Sequence, residues 1–246
     1  MTLAHSKDYR VKIAQHTDEV TAAQRLRYEV FNLELGEGLA ESRHSGLDCD
    51  PYDVQCDHLI VEQISSGRIV GTYRLQTGNT ASAGIGYYSE QEFDLSPFEP
   101  RRDGILELGR ACIHRDHRRR SVLDLLWKGI AAYAKGRGCR FLLGCSSLTS
   151  QDPAEGWAVY RLLEPGHLAP PEFRTLPLPH CRIEESAPVL ESVKVPRLFA
   201  AYLKIGACIA GPPAIDRDFG TIDFLTLLDL ERIASQGRRH YLDESV

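Results

Sequence analysis

Stretches in which apolar residues alternate with polar ones trade places along this chain with stretches in which they recur every third or fourth position. Alternation over residues 9–15 predicts an edge strand. Thr17 and Asp18 then offer N-cap chemistry for a helix reaching Leu35, whose apolar positions Val20, Ala23, Leu26, Val30 and Phe31 keep helical spacing. Residues 36–57 are polar and rich in Gly and Asp, too long for a simple turn, and predict a functional loop. Two β-branched runs, 58–64 and 68–76, flank Ser-Ser-Gly and predict a hairpin. A short acidic helix is expected near 89–93, a strand over 105–113, and an amphipathic helix over 119–135, closed by Gly136 and Gly138. A fully apolar strand over 139–148, a helix over 153–163, a short helix over 196–205 and a last strand over 221–228 complete the series. That order predicts an α/β fold, a mixed central sheet with helices on both faces. Residues 1–246 then form a single domain, with the proline-rich stretch 165–195 as an irregular insertion and the one plausible seam.

Composition leaves this picture in place. The chain has 246 residues, 43% hydrophobic and 26% charged, which suits an ordinary soluble globule. The opening MTLAHSKDYRVK lacks the apolar core of a signal peptide, and no apolar run has the length of a membrane span, so a cytoplasmic location is expected. Seven cysteines, odd in number and without a CxxC pair, indicate neither a disulfide frame nor a metal site. Nucleic acid is a poor partner for a chain of net charge −5 whose basic stretch lacks interleaved aromatics.

Charge distribution adds more than charge sum. Residues 29–62 hold nine carboxylates against Arg43 alone, while 110–120 hold five arginines, two histidines and only Asp116. Other charges stand where propensity would not put them. Arg27 interrupts an apolar helix turn, Asp48, Asp50 and Asp53 lie in the long loop, Arg74 ends the "GTYRL" strand, and Glu107 and Arg110 sit in "ELGR". A buried ion costs several kcal/mol unless it is paired, so these cations and carboxylates are expected to meet in space. Two readings are open: an ion-pair network locking the first helix, the loop and the sheet, or an active site.

The spacing R-x-x-V-F (27–31), L-G (35–36), D-x-x-D (50–53), G-x-x-R-L (71–75) and E-x-x-R (107–110) resembles the acyl-homoserine lactone synthases, enzymes of the N-acetyltransferase (GNAT) superfold. The bacterial ornithine N-acyltransferases that make lyso-ornithine lipid are more similar still, through "AAQRLRYEVF", "CDHLIV", "VGTYRL", "YYSEQEFDL", "LELGRACI", "LLWKGIAAY", "GCSSL", "YLKIGA" and "AIDRDFGTIDF". These fragments run in family order across residues 17–229, with 165–195 matching only loosely.

The resemblance implies a GNAT-like fold and transfer of a long-chain, 3-hydroxy fatty acyl group from acyl carrier protein to the α-amine of an amino acid, ornithine first. It implies no tightly bound cofactor, the acyl-phosphopantetheine of the carrier being the donor substrate, and a lipid product that would bring peripheral contact with the inner membrane. The alternatives are an N-acyl amino acid or acyl-homoserine lactone signal synthase, and a non-enzymatic module that binds carrier protein or senses lipid. In this reading Glu107 accepts the amine proton, with Arg110 and Arg74 beside it in the catalytic set. Arg27, Phe31, Asp48, Asp50 and Asp53 receive the acceptor. Backbone N–H groups of Ala111, Cys112 and Ile113 hold the carbonyl oxygen. Gly109 permits a bulge that brings residues 107 and 110 to one face, which a regular strand would not do. Arg118, Arg119 and Arg120 meet the donor: "HRRRSVL" lacks the glycines of a pyrophosphate-binding turn, and bulky cations suit one phosphate and an acidic protein surface.

Overall fold

The computed structural model describes residues 2–185 and 193–233. Its strands are β1 Thr2–His5, β2 Tyr9–Ile13, β3 Asp57–Gln63, β4 Ile69–Thr77, β5 Ile105–Ile113, β6 Phe141–Leu148, β7 Cys208–Ile209, β8 Ala214–Asp216 and β9 Thr221–Asp229. The α-helices are α1 Thr17–Tyr28, α2 Ser42–Ser45, α3 Gly78–Ala83, α4 Arg120–Arg137, α5 Pro153–His167 and α6 Arg197–Lys204. The strands form one mixed sheet in the order β1-β2-β3-β4-β5-β6-β9-β7, with β8 also on β9. Every pairing is antiparallel except that of β5 with β6.

Period-two alternation divides the strands between two cores. Val11, Leu59, Val61, Tyr73, Leu75 and Leu106 face α4, which lays Val122, Leu126, Trp127 and Ile130 against them. Ile60, Ile69 and Cys112 face the other way and meet Ala23, Leu26, Val30 and Phe31 from α1 and its extension. Helices therefore cover both faces, as the element order predicts. No helix among the described residues is long and apolar enough to cross a membrane.

Several expectations need correction. The strand beginning at Tyr9 is internal, because the short β1 pairs outside it; four residues carry too little alternation to be read from sequence. The first helix does not stay α-helical to Leu35: from Glu29 to Leu35 it widens into a π-helix, ended by Gly36 in the left-handed region (φ 73°). The segment near Ser89 is a 3-10 turn, Tyr88–Gln91. Within 165–195, α5 continues through Pro165 to His167 and two 3-10 turns follow, Pro171–Phe173 and Pro179–Cys181; residues 186–192 lie outside the described residues.

The sheet has a seam. β5 and β6 pair only at Ile105↔Phe141, Leu106↔Leu142 and Glu107↔Leu143, although the strands have nine and eight residues. Beyond Glu107 they part. Gly144 marks the point: a Cβ there would lie 2.2 Å from the Leu108 carbonyl oxygen, so only glycine lets the two backbones touch as they diverge.

Candidate active site

A cavity of about 610 Å³ opens where β5 and β6 separate. Its walls come from the π-helix (Val30, Phe31, Leu35), β5 from Glu107 to Ile113, the start of α4 (Arg118 to Arg120, Leu123), β6 (Cys145 to Ser147) and α6 (Leu198, Phe199, Tyr202). A smaller space of about 70 Å³ sits in the seam itself, against Leu108, Trp127, Leu142 and Leu228. One side of the large cavity is thus apolar, and the other carries the charges.

A β-bulge aims those charges. Arg74 pairs with Gly109 and Thr72 with Cys112, so Arg110 and Ala111 together oppose Tyr73. The residue that bends the chain is Arg110 itself, at φ +50°, the only non-glycine with positive φ among the described residues; Gly109 has no such conformation. Left-handed backbone at a bulky residue costs of order 1–3 kcal/mol. The bulge turns Leu106, Leu108, Ala111 and Ile113 to the α4 core. Glu107 and Arg110 reach the opposite face, where both line the cavity.

Arg110 is held there by a closed ring of ion pairs. Arg27 meets Asp48 at 2.8 Å, Asp48 meets Arg110 at 3.2 Å, and Arg110 meets Asp50 at 2.9 Å. Asp50 meets Arg74 at 2.5 Å, Arg74 meets Asp53 at 3.0 Å, and Asp53 returns to Arg27 at 2.6 Å. Three arginines and three aspartates alternate, every side chain at most 8% exposed, with no formal charge left over. Each aspartate has two cationic partners, which offsets the cost of burying it. Burial alone would raise the Asp53 carboxyl; the hydrogen bonds and charge of Arg27, with Arg74, instead hold it well below its usual range. The ring ties α1, the long loop, β4 and the bulge together. Tyr88 and Phe219 stack on Arg110, with its guanidinium carbon 4.7 and 4.5 Å from their ring centroids.

Glu107 stands outside the ring. One carboxylate oxygen accepts from the Ser89 backbone N–H and hydroxyl, both at 2.8 Å, and the other from the Tyr88 N–H at 2.9 Å. Burial raises its pKa, against the pull of those donors and of Arg74. Arg74 keeps one nitrogen, Nη2, without a hydrogen-bond partner, and its side chain also lines the cavity.

The structure therefore splits the sequence-derived set. Phe31, Arg74, Glu107, Arg110, Ala111, Cys112, Ile113, Arg118, Arg119 and Arg120 line one cavity. Arg27, Asp48, Asp50 and Asp53 are not among its lining residues; the arginine ring consumes them. Arg118 forms a bidentate pair with Glu34 on the π-helix, while Arg119 and Arg120 are exposed at the cavity's rim. Sequence reasoning did not single out Glu37, Tyr88, Ser89, Asp216 and Asp223, which also line the cavity. A signal existed for Asp223: it interrupts the apolar run "TIDFLTLL" as Glu107 interrupts "ILELG".

Comparison with known proteins agrees with this architecture. The family model for the acetyltransferase (GNAT) domain matches residues 26–128. The chain is 32% identical to an L-ornithine N(alpha)-acyltransferase of Agrobacterium fabrum, over 95% of this chain and 85% of that protein. It is 30% identical to one of Rhodobacter capsulatus, over 95% and 94%. Among solved structures, FeeM, an N-acyl amino acid synthase from uncultured soil microbes, superposes with a TM-score of 0.56 at 11% identity, covering 95% of each chain. The AHL synthase LasI superposes with a TM-score of 0.54 at 12% identity, over 98% of this chain and all of that one. The last two share the fold. Similarity at this level over nearly its whole length makes the chain an acyltransferase, a member of the L-ornithine N(alpha)-acyltransferase family.

Proposed function

We propose that this enzyme moves a long-chain, 3-hydroxylated fatty acyl group from the phosphopantetheine thioester of acyl carrier protein to the α-amine of ornithine, giving lyso-ornithine lipid. One observation carries the reading: the β5–β6 ladder stops after Glu107↔Leu143, and the cavity starts there with Glu107, Arg74 and Arg110 on its wall. A pantetheine arm needs a slot between two strands, and an acyl thioester needs hydrogen-bond donors at its carbonyl.

In this proposal the arm enters between β5 and β6, and the acyl chain follows the apolar wall of Val30, Phe31, Leu123 and Phe199. Backbone N–H groups of Ala111, Cys112 and Ile113 receive the carbonyl oxygen. The α-amine attacks the carbonyl carbon, forming the C–N bond. Glu107, whose basicity burial increases, accepts the amine proton directly or through water. Collapse of the intermediate breaks the C–S bond, and the proton passes to the leaving thiolate. Arg74 Nη2, without a hydrogen-bond partner, takes the acceptor's α-carboxylate. Arg110 sustains the bulge and the local positive field. Arg27, Asp48, Asp50 and Asp53 hold this frame and do not touch the acceptor. Arg119 and Arg120, exposed at the rim, meet the acidic carrier surface. The relatives' name supports ornithine, and the missing pyrophosphate glycines in "HRRRSVL" favour a carrier protein over coenzyme A.

The test is direct. Purified protein, 3-hydroxyacyl carrier protein and L-ornithine should yield N-acyl-ornithine by mass spectrometry, with slower turnover on the matching acyl-CoA. Absence of any acylated amine would refute the reading, and equal rates with both donors would refute its donor assignment.

A further inference from the structure

The arginine–aspartate ring balances its charges, and a second group of buried carboxylates does not. Glu37 follows the π-helix, Glu92 follows the Tyr88–Gln91 turn, Asp216 ends β8 and Asp223 lies on β9. Glu37, Asp216 and Asp223 line the large cavity. Glu37 is 9% exposed, Glu92 3% and Asp223 3%, and Glu37 Oε2, Glu92 Oε2 and Asp223 Oδ1 are buried without a hydrogen-bond partner. Glu92 adjoins the cavity through Cys145, with Sγ 3.8 Å from Oε1.

Among the described residues these three have no cationic partner in an ion pair, and the charges that act most strongly on them are carboxylates. Burial raises Glu37, Glu92 and Asp223 above the ordinary carboxylate range, and the charges acting on them are one another and Asp216. Hydroxyls of Ser147 and Thr221 neighbour Asp223, that of Thr149 neighbours Glu37, and the Glu92 and Asp223 carboxyls hydrogen-bond each other; among the described residues none of the three has a salt bridge. Buried carboxylates in that state are stabilised by whatever cation enters the cavity.

Position identifies the cation. Contacts of 2.8 Å (Glu107 to the Ser89 hydroxyl), 3.6 Å (Ser89 to Cys145) and 3.8 Å (Cys145 to Glu92) connect the proposed base to this group. The two amines of ornithine stand about 6 Å apart in the extended molecule, from ordinary bond lengths, so with the α-amine at Glu107 the terminal ammonium must be met elsewhere on the cavity wall, where Glu37 and Asp223 lie. A metal ion is the rival occupant: Glu92, Cys145 and Asp223 have ligand atoms within 4.8 Å of one another, but Glu37 stands outside that set and Glu92 is not on the cavity wall.

We propose that Glu37, Glu92 and Asp223 form the subsite that receives the terminal ammonium of the acceptor amino acid, and so select a cationic acceptor. The proposal rests on the amino-acid acylation argued above and deepens it. Asp216, whose Oδ2 accepts from the Tyr88 hydroxyl at 3.1 Å, fixes the wall behind them.

The test compares kcat/KM for L-ornithine and L-norvaline, the same carbon chain without the terminal amine, with acyl carrier protein as donor, in the unmutated protein, Asp223→Asn and Glu37→Gln. Each substitution removes one charge-assisted contact, so the ornithine-to-norvaline ratio should fall about tenfold or more. Glu37 lies on a loop outside the sheet, and its variant carries the test if Asp223→Asn does not fold. An unchanged ratio, with both acceptors affected alike, overturns the proposal. So does loss of ornithine turnover on EDTA treatment with recovery on adding Zn²⁺ or Mn²⁺, which would assign the carboxylates to a metal. Acylation by the unmutated protein without preference for ornithine removes the subsite and leaves acyl transfer standing. No acylation of any amine defeats the parent reading instead.

Discussion

Neutralising Asp53 tests whether the aspartate triad builds the frame or reads the acceptor. Its two oxygens accept from Arg27 at 2.9 and 2.6 Å, from Arg74 at 3.0 Å and from Gln24 at 3.0 Å. Asp53→Asn preserves the volume but leaves three arginines facing two aspartates in a buried ring, and turns an amide N–H₂ toward a guanidinium. Breaking a buried ion pair by removing one partner costs about 3–5 kcal/mol. For a chain of this size each kcal/mol lowers the melting temperature by about 2–4 °C, so a fall of about 6–20 °C is expected at neutral pH. The effect has a pH signature. Asp53 titrates below its unfolded value of 3.8, so its stabilisation is present above that pH and is lost as pH falls through the folded pKa. The two melting curves should therefore converge on acidification below pH 4. Circular dichroism melts between pH 3 and 8 make the measurement. A cycle with Arg27→Gln should show the double variant less destabilised than the sum of the singles. Turnover with ornithine and norvaline should fall in the same proportion. A melting temperature within 3 °C of the unmutated protein, with ornithine KM raised and norvaline KM unchanged, would refute the structural role and return Asp53 to the acceptor pocket.

Other consequences are equally open to measurement. Glu107→Gln should lower kcat by about 10²–10⁴-fold, and also stability by about 1–3 kcal/mol, since its amide must point N–H₂ at the Tyr88 or the Ser89 N–H; near-native turnover would make Glu107 purely structural. Exchanging Arg119 and Arg120 for Glu should raise KM for acyl carrier protein, and the unmutated enzyme should lose affinity for it with added salt; a salt-independent KM would contradict that docking. Arg118 is left out because Glu34 already holds it. Gly144→Ala puts a Cβ 2.2 Å from the Leu108 carbonyl oxygen and should disturb the seam, reducing both turnover and melting temperature; an unchanged variant would show that the seam tolerates separation. Burial, with the charge of Asp216, pushes Asp223 up to about 6 against the hydrogen bonds of Ser147, Glu92 and Thr221, so the unmutated protein loses stability as pH rises from 3.8 through that value. Asp223→Asn should accordingly melt higher than the unmutated protein above pH 6 and lose that advantage below pH 4, as pH-dependent melts would reveal.

What the sequence determined by itself was local and periodic. The hairpin 57–77 and β5 show as apolar, β-branched runs because both faces of these strands are covered, and α4 shows as a 3.6-residue period because it buries one face. Charges inside apolar elements were legible for the same reason: Arg27, Arg74, Glu107 and Arg110 stand where burial would be unfavourable without partners. Which partner each one has was not legible. Arg27 and Asp48 are 21 residues apart and Arg110 and Asp50 are 60 apart, and one aspartate is chemically like another until the chain folds. Tertiary structure alone decided that the aspartates in the long loop neutralise arginines, and that Glu37, Glu92 and Asp223, drawn from three distant segments, gather beside the cavity with no ion-pair partner among the described residues. It also placed the bulge on Arg110 and not on Gly109. A glycine only permits a left-handed backbone; the two aspartates and two aromatic rings around the Arg110 guanidinium hold the chain in it.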